Sequence, residues 1–536
     1  MSRLDPLARR PAPGDDPVTA LFDAVLFDRD GTLVVDVPYN GDPARVEPMP
    51  GARAALDRLR AAGLRLGVVT NQSGLARGLF TEAQLAAVNA RVEELLGPFD
   101  TWQVCPHDDA AGCRCRKPAP GLVLAGAAAL GTTPARCVVV GDIGRDMVAA
   151  GAAGATGILV PTPVTLRPEV AAAPATAADL TAAADLILQR QALVTPTEPR
   201  RPGGTVLVVR SDSAGDVLLT GPGIRAVAAG ADRVVLLCGP RGRAAAELLP
   251  GVDEIIEARL PWIDPQPPPV GPDFAGDLVA RLAATGAEEA VVFTSFHQSA
   301  LPLALLLRTA GIARITAISD DYPGSLLDVR HRVPAGVPEA ERARSVAAAA
   351  GFALPAGDDG TLRVRAAAPR VAGDYVVVHP GASVAARACP PETVRAVVVA
   401  LEEAGHRVLV TGGPGEQALA AAVGTPAGPT SLAELAGLLA GASCVVVGNT
   451  GPAHLAAAVG TPVVSLYAPT VPFGQWGPYR VPAVRLGDPA AACRDTRASV
   501  CPVPGHPCLT RVDPAEVVAA VRLLGVPVPV ISEAAA

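Results

Sequence analysis

Short runs of consecutive apolar residues alternate along this chain with longer Ala/Leu-rich stretches. The first series begins at Ala24-Val-Leu-Phe and continues through Leu66-Gly-Val-Val and Cys137-Val-Val-Val. Each run ends in polar or glycine-rich residues. Strands that are apolar on both faces, separated by helical stretches, predict a parallel sheet covered on both sides. A helix around residues 177–191 closes this first unit. The stretch 195–204, Thr-Pro-Thr-Glu-Pro-Arg-Arg-Pro-Gly-Gly, breaks the periodicity and reads as a linker. A second series opens at Thr205-Val-Leu-Val-Val, with strands expected near 234–238, 290–294, 375–379, 407–411, 444–447 and 462–466. A Pro/Ala-rich region around 355–372 splits it into halves. Two doubly wound halves facing each other would hold a ligand between them. The expected organisation is a disordered lead-in (1–20), an α/β Rossmann-like unit (21–192), a linker (193–204) and two Rossmann-like lobes (205–370 and 371–530). No solenoid-type repeat is visible.

At 536 residues the chain is long enough for about three or four folding units. A net charge of −7 and the lack of a long basic run exclude nucleic acid as an expected partner. No run of about 18 apolar residues lacks charges or breakers, so no membrane span is expected; peripheral contact with a membrane stays open. The N-terminal residues lack the apolar segment of a secretion signal, so a cytoplasmic location is expected. Ten cysteines in such a chain do not describe a disulfide framework. Three fall within 105–115. Cys493, Cys501 and Cys508 are irregularly spaced among prolines, which favours loop packing over a metal site. Asp513-Pro514 reads as the cap and first residue of a last helix.

Chemistry gathers at the strand ends. The first run leads into Asp28-Arg-Asp30-Gly31-Thr-Leu. Two carboxylates two residues apart leave the strand end on one side, where an open α/β sheet borders its crevice. One can attack phosphorus while the other handles the leaving-group proton. Gly31 permits the tight turn. Thr70-Asn71-Gln-Ser suits phosphoryl oxygens, Lys117 offers a fixed cation, and Asp142 and Asp146 offer carboxylates to a hard cation such as Mg²⁺. Cys105, His107, Cys113 and Cys115 make a Cys₃His set that fits a closed, structural Zn²⁺ site.

These motifs resemble the haloacid dehalogenase (HAD) superfamily of phosphatases over about residues 20–192. The resemblance implies Asp28 as nucleophile, Asp30 as general acid/base, Thr70 and Lys117 as phosphate ligands, and Mg²⁺ held by Asp28, the Asp30 backbone carbonyl and Asp142. The cysteine loop, with Asn71-Gln-Ser-Gly-Leu-Ala-Arg77-Gly, is similar to heptose bisphosphate phosphatases and the related histidinol-phosphate phosphatases. In that group Arg116 helps the lysine define the substrate, and Asn71 falls in the substrate loop. Gly141-Asp142-Ile143 stands where the family usually has Gly-Asp-Lys.

In the second series, Arg210-Ser-Asp-Ser-Ala-Gly215-Asp216 places a carboxylate at a helix start, where it can serve as a base or simply complement the helix dipole. His379–Arg387, the glycine-rich loop ending in Glu416, and Gly448-Asn449-Thr450-Gly451-Pro-Ala-His454 follow later strands. The last suits a diphosphate at a helix N-terminus. Over about 205–525 the chain is similar to the glycosyltransferase family that contains the lipopolysaccharide ADP-heptosyltransferases. The resemblance implies a GT-B fold and metal-independent, inverting transfer. By it Asp216 is the base and Arg387 stabilises the leaving diphosphate. Glu416 faces the ribose, and Thr450, Gly451 and His454 form the diphosphate loop. Asn449 stands in that loop where the family commonly has Asp, and Cys389 where it has Trp. His297, His331 and His406 read as structural.

Together these readings predict a bifunctional enzyme acting on a sugar phosphate, a nucleotide-diphosphate sugar and a glycan acceptor. The alternative is a histidinol-phosphate-type phosphatase joined to a non-catalytic sugar-nucleotide-binding module.

Overall fold

The protein is described by a computed structural model, whose described residues are 20–198, 203–365, 368–369 and 371–526. The expected lead-in lies outside them except for Ala20, as do linker residues 199–202.

Among the described residues the chain forms three parallel sheets, each flanked by helices. The first contains β1 (Ala24–Phe27), β2 (Arg65–Asn71), β3 (Thr101–Cys105), β4 (Cys137–Gly141) and β5 (Thr156–Leu159), in the order β3-β2-β1-β4-β5. Every β1 residue is buried, so the strand is apolar throughout. The helix Leu180–Leu193, capped by Asp179 accepting from the Ala182 N–H, packs on the helix Ala52–Ala61 and closes the unit.

The second sheet contains β6 (Thr205–Arg210), β7 (Arg233–Cys238), β8 (Glu254–Glu257), β9 (Glu289–Val292), β10 (Arg314–Ile318) and β11 (Val329–His331), in the order β11-β10-β9-β6-β7-β8. The third contains β12 (Val376–His379), β13 (Val408–Val410), β14 (Cys444–Gly448), β15 (Val463–Leu466) and β16 (Ala483–Leu486), in the order β13-β12-β14-β15-β16. The three architectures share one consequence. The strand that opens each sheet lies inside it, and the chain departs to both sides of it. The C-terminal ends of β1, β6 and β12 therefore lie at switch points, where neighbouring loops diverge and leave a crevice.

The helix Pro514–Leu523 begins as its sequence predicts, with Asp513 accepting from the Ala515 N–H. Cys493 and Cys508 are buried in the core beneath it. None of the described helices is long and apolar enough to cross a membrane.

The first unit packs directly on the third sheet's lobe. A Cβ on Gly151 would sit 2.9 Å from the Ala483 carbonyl oxygen, so the two backbones touch there. Arg190, on the helix Leu180–Leu193, makes a buried bidentate pair with Glu341 at 2.8 and 2.5 Å. Arg480 donates to the Leu21 carbonyl at 3.1 Å, and the Arg190 and Arg480 guanidinium groups both lie over the Phe22 ring.

Candidate active sites

The first site forms where β1 ends between β2 and β4. Asp28 follows the strand, and its N–H donates to the Val140 carbonyl at 2.9 Å. The chain then turns through Gly31 at φ +78°, a conformation that favours glycine. A Cβ at Gly31 would lie 2.8 Å from Asp142 Cγ, so glycine is also needed for the close approach of the two loops. Lys117 Nζ bonds Asp28 Oδ1 at 2.8 Å, Asp146 Oδ1 at 2.5 Å and the Val69 carbonyl at 3.0 Å. Thr32 donates to Asp142 Oδ1 at 3.4 Å, and Thr165 donates to the Asp142 carbonyl at 2.6 Å.

Asp28, Asp142 and Asp146 each present an oxygen, all within 4.8 Å of one another. Three carboxylates and one ammonium, all ionised, would put two net negative charges in a buried site, and the site resists that charge. Burial pushes the Asp28 carboxyl up to about 8 against the pull of Lys117, and pushes Asp142 up to about 7. Lys117 stays charged, because Asp146 and Asp28 outweigh the burial that disfavours its ammonium form. Clustered hard oxygens that resist ionising together fit a divalent cation such as Mg²⁺, which would compensate their charge.

Asp30 has a different set of partners. Its carboxylate accepts from Arg29 Nη2 at 2.9 Å and from Gln72 Nε2 at 2.8 Å, and its side chain is 26% exposed. The Thr70 hydroxyl is buried and accepts from Gln72 Nε2 at 2.9 Å. Both ends of the Asn71 amide are taken by the Lys117 backbone: Nδ2 donates to its carbonyl at 3.2 Å, and its N–H donates to Oδ1 at 3.1 Å. Arg116 clasps Asp109 at 2.9 and 3.3 Å and donates to the His107 carbonyl at 3.3 Å. Arg29 was not singled out from sequence, yet it is 1% exposed and braces Asp30 while donating to Asn89 at 2.8 Å. Its position between two motif aspartates was the available signal.

The Cys/His loop comes together as one cluster. Cys105, Cys113 and Cys115 have sulfur separations of 3.3 to 3.7 Å, and His107 Nδ1 lies 3.6 Å from Cys105 Sγ and 3.3 Å from Cys115 Sγ. Zn–S bonds of about 2.3 Å put tetrahedral sulfurs roughly 3.8 Å apart, so the cluster has the dimensions of a four-ligand metal site.

The second site lies where β6 ends. The buried Arg210 guanidinium meets Asp212 at 2.8 Å, Asp216 at 3.0 Å and Ser295 at 2.9 Å, with Glu339 at 4.0 Å. Gln298 donates to Asp212 from the loop after β9. Asp216 is the third residue of the helix Ala214–Gly230 and accepts from the Ser213 N–H (3.2 Å) and hydroxyl (2.7 Å). Burial pushes its carboxyl up, but Arg210 and the Ser213 donors outweigh it and hold the group below the usual range. Glu339 had no local sequence signal, since it reaches this cluster only through tertiary packing.

Across the cleft, Asn449 and Thr450 follow β14, and Gly451 opens the helix Gly451–Ala458. A Cβ on Gly215 would stand 3.1 Å from His454 Cδ2 and 3.4 Å from Gly451 Cα, so the two lobes meet there almost backbone to backbone. Burial holds His454 down to about 4, with Arg387 adding to the effect and Asp216 opposing it, so the ring is neutral at pH 7. His454 Nδ1, Asn449 Nδ2 and Arg387 Nε are buried polar atoms without a hydrogen-bond partner. Orphaned donors are costly, and their gathering beside Asp216 marks a place for a polar ligand. Glu416 stands beyond β13, accepting from the Gly413 N–H at 2.8 Å, with His379 Nε2 at 3.9 Å. Cys389 is buried in the lobe core. His297 meets Arg497 at 2.9 Å.

The fold and the strand-end motifs place a HAD-type phosphatase region before a two-lobed α/β region. Comparison with known proteins agrees. The HAD-hydrolase-like family model matches residues 114–186, and the model of glycosyltransferase family 9 (heptosyltransferase) matches residues 296–505. The D-glycero-beta-D-manno-heptose-1,7-bisphosphate 7-phosphatase of Rhodopseudomonas palustris is 37% identical over 145 residues, covering 25% of this chain and 81% of that protein. The Escherichia coli K12 protein of the same name is 38% identical over 158 residues, covering 27% of this chain and 83% of that protein. A glycosyl transferase family 9 structure from Veillonella parvula covers 61% of this chain and 99% of its own, with 16% identity and a TM-score of 0.51; it supports the fold. The chain belongs through its N-terminal region to the D-glycero-beta-D-manno-heptose-1,7-bisphosphate 7-phosphatase family, and its residues 296–505 match the family 9 glycosyltransferase model.

Proposed function

We propose that the N-terminal site hydrolyses the 7-phosphate of D-glycero-β-D-manno-heptose 1,7-bisphosphate, and that the C-terminal site transfers heptose, with inversion, from a nucleotide-diphosphate donor to a glycan acceptor. The observation that carries the first half is the cluster of Asp28, Lys117, Asp142 and Asp146 at the β1 switch point. Asp28 attacks phosphorus and forms an aspartyl-phosphate, and Asp30 protonates the departing sugar oxygen. Asp30 then takes a proton from the water that opens the aspartyl-phosphate. Lys117 and the Thr70 hydroxyl face the phosphoryl oxygens, Asn71 fixes the Lys117 backbone, and Arg116 lines the substrate mouth. Asp28, the Asp30 carbonyl and Asp142 would hold Mg²⁺, with Asp146 beside them. That cation offsets negative charge on the nucleophile and the phosphoryl group.

In the second site Asp216 takes the acceptor hydroxyl proton. Arg387, Asn449, Thr450, the Gly451 N–H and His454 receive the diphosphate, and Glu416 receives the ribose. Hydrolysis at position 7 leaves the 1-phosphate that nucleotide activation requires, so the two reactions belong to one route with a nucleotidyl transfer between them. The free-thiol metal loop suits a reducing, cytoplasmic setting. Phosphate release should favour heptose 1,7-bisphosphate over histidinol phosphate by about 100-fold or more in kcat/KM; equal or reversed preference refutes the substrate assignment.

Two further outcomes follow from the geometry. Gly31→Ala should lower phosphatase kcat by about 100-fold or more, because the Cβ both strains the turn and displaces Asp142. Heptose transfer by the same variant should be unchanged. We assign Zn²⁺ to the Cys105, His107, Cys113 and Cys115 cluster as a structural ion. Cys113→Ser should then reduce zinc content, measured by atomic emission, and lower the melting temperature by roughly 5 °C or more. Full zinc occupancy in that variant would contradict the ligand assignment.

A further inference from the structure

The first turn of the helix Glu339–Ala349 carries two buried glutamates that reach different halves of the molecule. Glu341 receives both arms of Arg190, at 2.8 and 2.5 Å, from the last helix of the phosphatase region. The Tyr479 hydroxyl donates to the same carboxylate at 3.3 Å. Two residues earlier, Glu339 accepts from Gln475 Nε2 at 3.0 Å and stands 4.0 Å from Arg210 in the transferase site. Arg210 is therefore one cation shared among Asp212, Asp216 and Glu339. Whatever fixes Glu339 also fixes how Arg210 is divided among its partners.

The same helix packs closely on the helix that bears Asp216. A Cβ on Gly223 would lie 2.9 Å from the Ala343 carbonyl oxygen and 3.0 Å from its carbon. Contact of this kind runs from backbone to backbone, so a shift of one helix cannot be absorbed by side-chain rearrangement. The coupling is one-sided. The carboxylate–lysine cluster of the phosphatase takes the contacts described above from within residues 28–165, away from this helix.

We propose that the phosphatase region sets the geometry of the transferase base: Arg190 pins Glu341, the helix Glu339–Ala349 carries that constraint to Glu339, and Glu339 orients Arg210 against Asp216. Arg190, Glu341 and Glu339 are positioning residues for glycosyl transfer. The proposal rests on the reading of Asp216 as the transfer base.

The test uses the full chain and two assays, ADP release from ADP-heptose with water as acceptor and phosphate release from heptose 1,7-bisphosphate. Arg190→Met should lower kcat for ADP release about tenfold or more, with KM for ADP-heptose and both phosphatase constants within about twofold of the parent. Arg190→Lys should restore at least about half of the lost kcat, because it returns the charge opposite Glu341. Arg190→Met leaves the buried Glu341 carboxylate with only the Tyr479 hydroxyl and Arg480 at 3.9 Å, so the double variant Arg190→Met/Glu341→Met, which removes both charges of the bidentate pair, makes the same test without that burden. It should show the same kcat loss. Unchanged kcat in the double variant, a loss confined to KM, or equal loss of both activities overturns the proposal. A parent chain that binds ADP-heptose in calorimetry yet releases no ADP above the uncatalysed rate instead defeats the base assignment beneath it.

Discussion

Asp28→Asn should lower phosphate release from heptose 1,7-bisphosphate by at least about 10³-fold, because an amide cannot accept the phosphoryl group. The fold should persist for a physical reason. Burial disfavours charge on Asp28, so a neutral amide of the same shape relieves that cost. Lys117 keeps Asp146 and the Val69 carbonyl as partners, so the substitution does not strand a buried cation. Transfer should be unaffected, since Asp216 and its neighbours belong to other sheets. A continuous phosphate assay with ADP release as internal control checks both parts. Parental turnover in this variant would mean that the covalent route through Asp28 does not exist.

Asp216→Asn should lower heptose transfer by about 10² to 10⁴-fold while leaving donor affinity and phosphatase turnover near the parental values. The carboxylate is held ionised by Arg210 and Ser213, which suits a group that must accept a proton. Asparagine can still accept from Ser213 through Oδ1, so the helix start survives and the loss reports on chemistry. Calorimetric titration with ADP-heptose beside ADP release separates the two readings. Retained binding with lost transfer supports a working enzyme. Unaltered transfer would remove Asp216 from the reaction and favour a binding module.

Much of the fold was legible because central parallel strands are apolar on both faces. β1, β2, β4, β6, β7, β9, β12, β14 and β15 all appear as such runs, and so does the fully buried edge strand β13. The strands without that signal are mostly sheet edges. β3, β8, β11 and β16 carry half-exposed residues, so their sequences resemble loops. β5 is also an edge strand, whereas β10 lies inside its sheet and was missed because its polar-apolar mixture, Arg-Ile-Thr-Ala-Ile, lacks a continuous run. The motif residues were legible for a related reason. Asp28, Thr70, Asp142 and Asn449 each sit just beyond, or in the last residues of, an apolar run, where parallel topology places the crevice.

The partners that tune those residues were not legible. Gln72 and Arg29 brace Asp30, and Glu339 joins Arg210 from more than a hundred residues away. The sequence alone determined the strand-end chemistry of this protein, because hydrophobic periodicity and turn residues act locally and fix where each loop leaves its sheet. Only the tertiary structure decided how charges are shared within each site and that Arg190 of the N-terminal region is buried against Glu341 of the C-terminal one. Those outcomes depend on which distant helices pack together, and packing distance in space is not encoded by spacing along the chain.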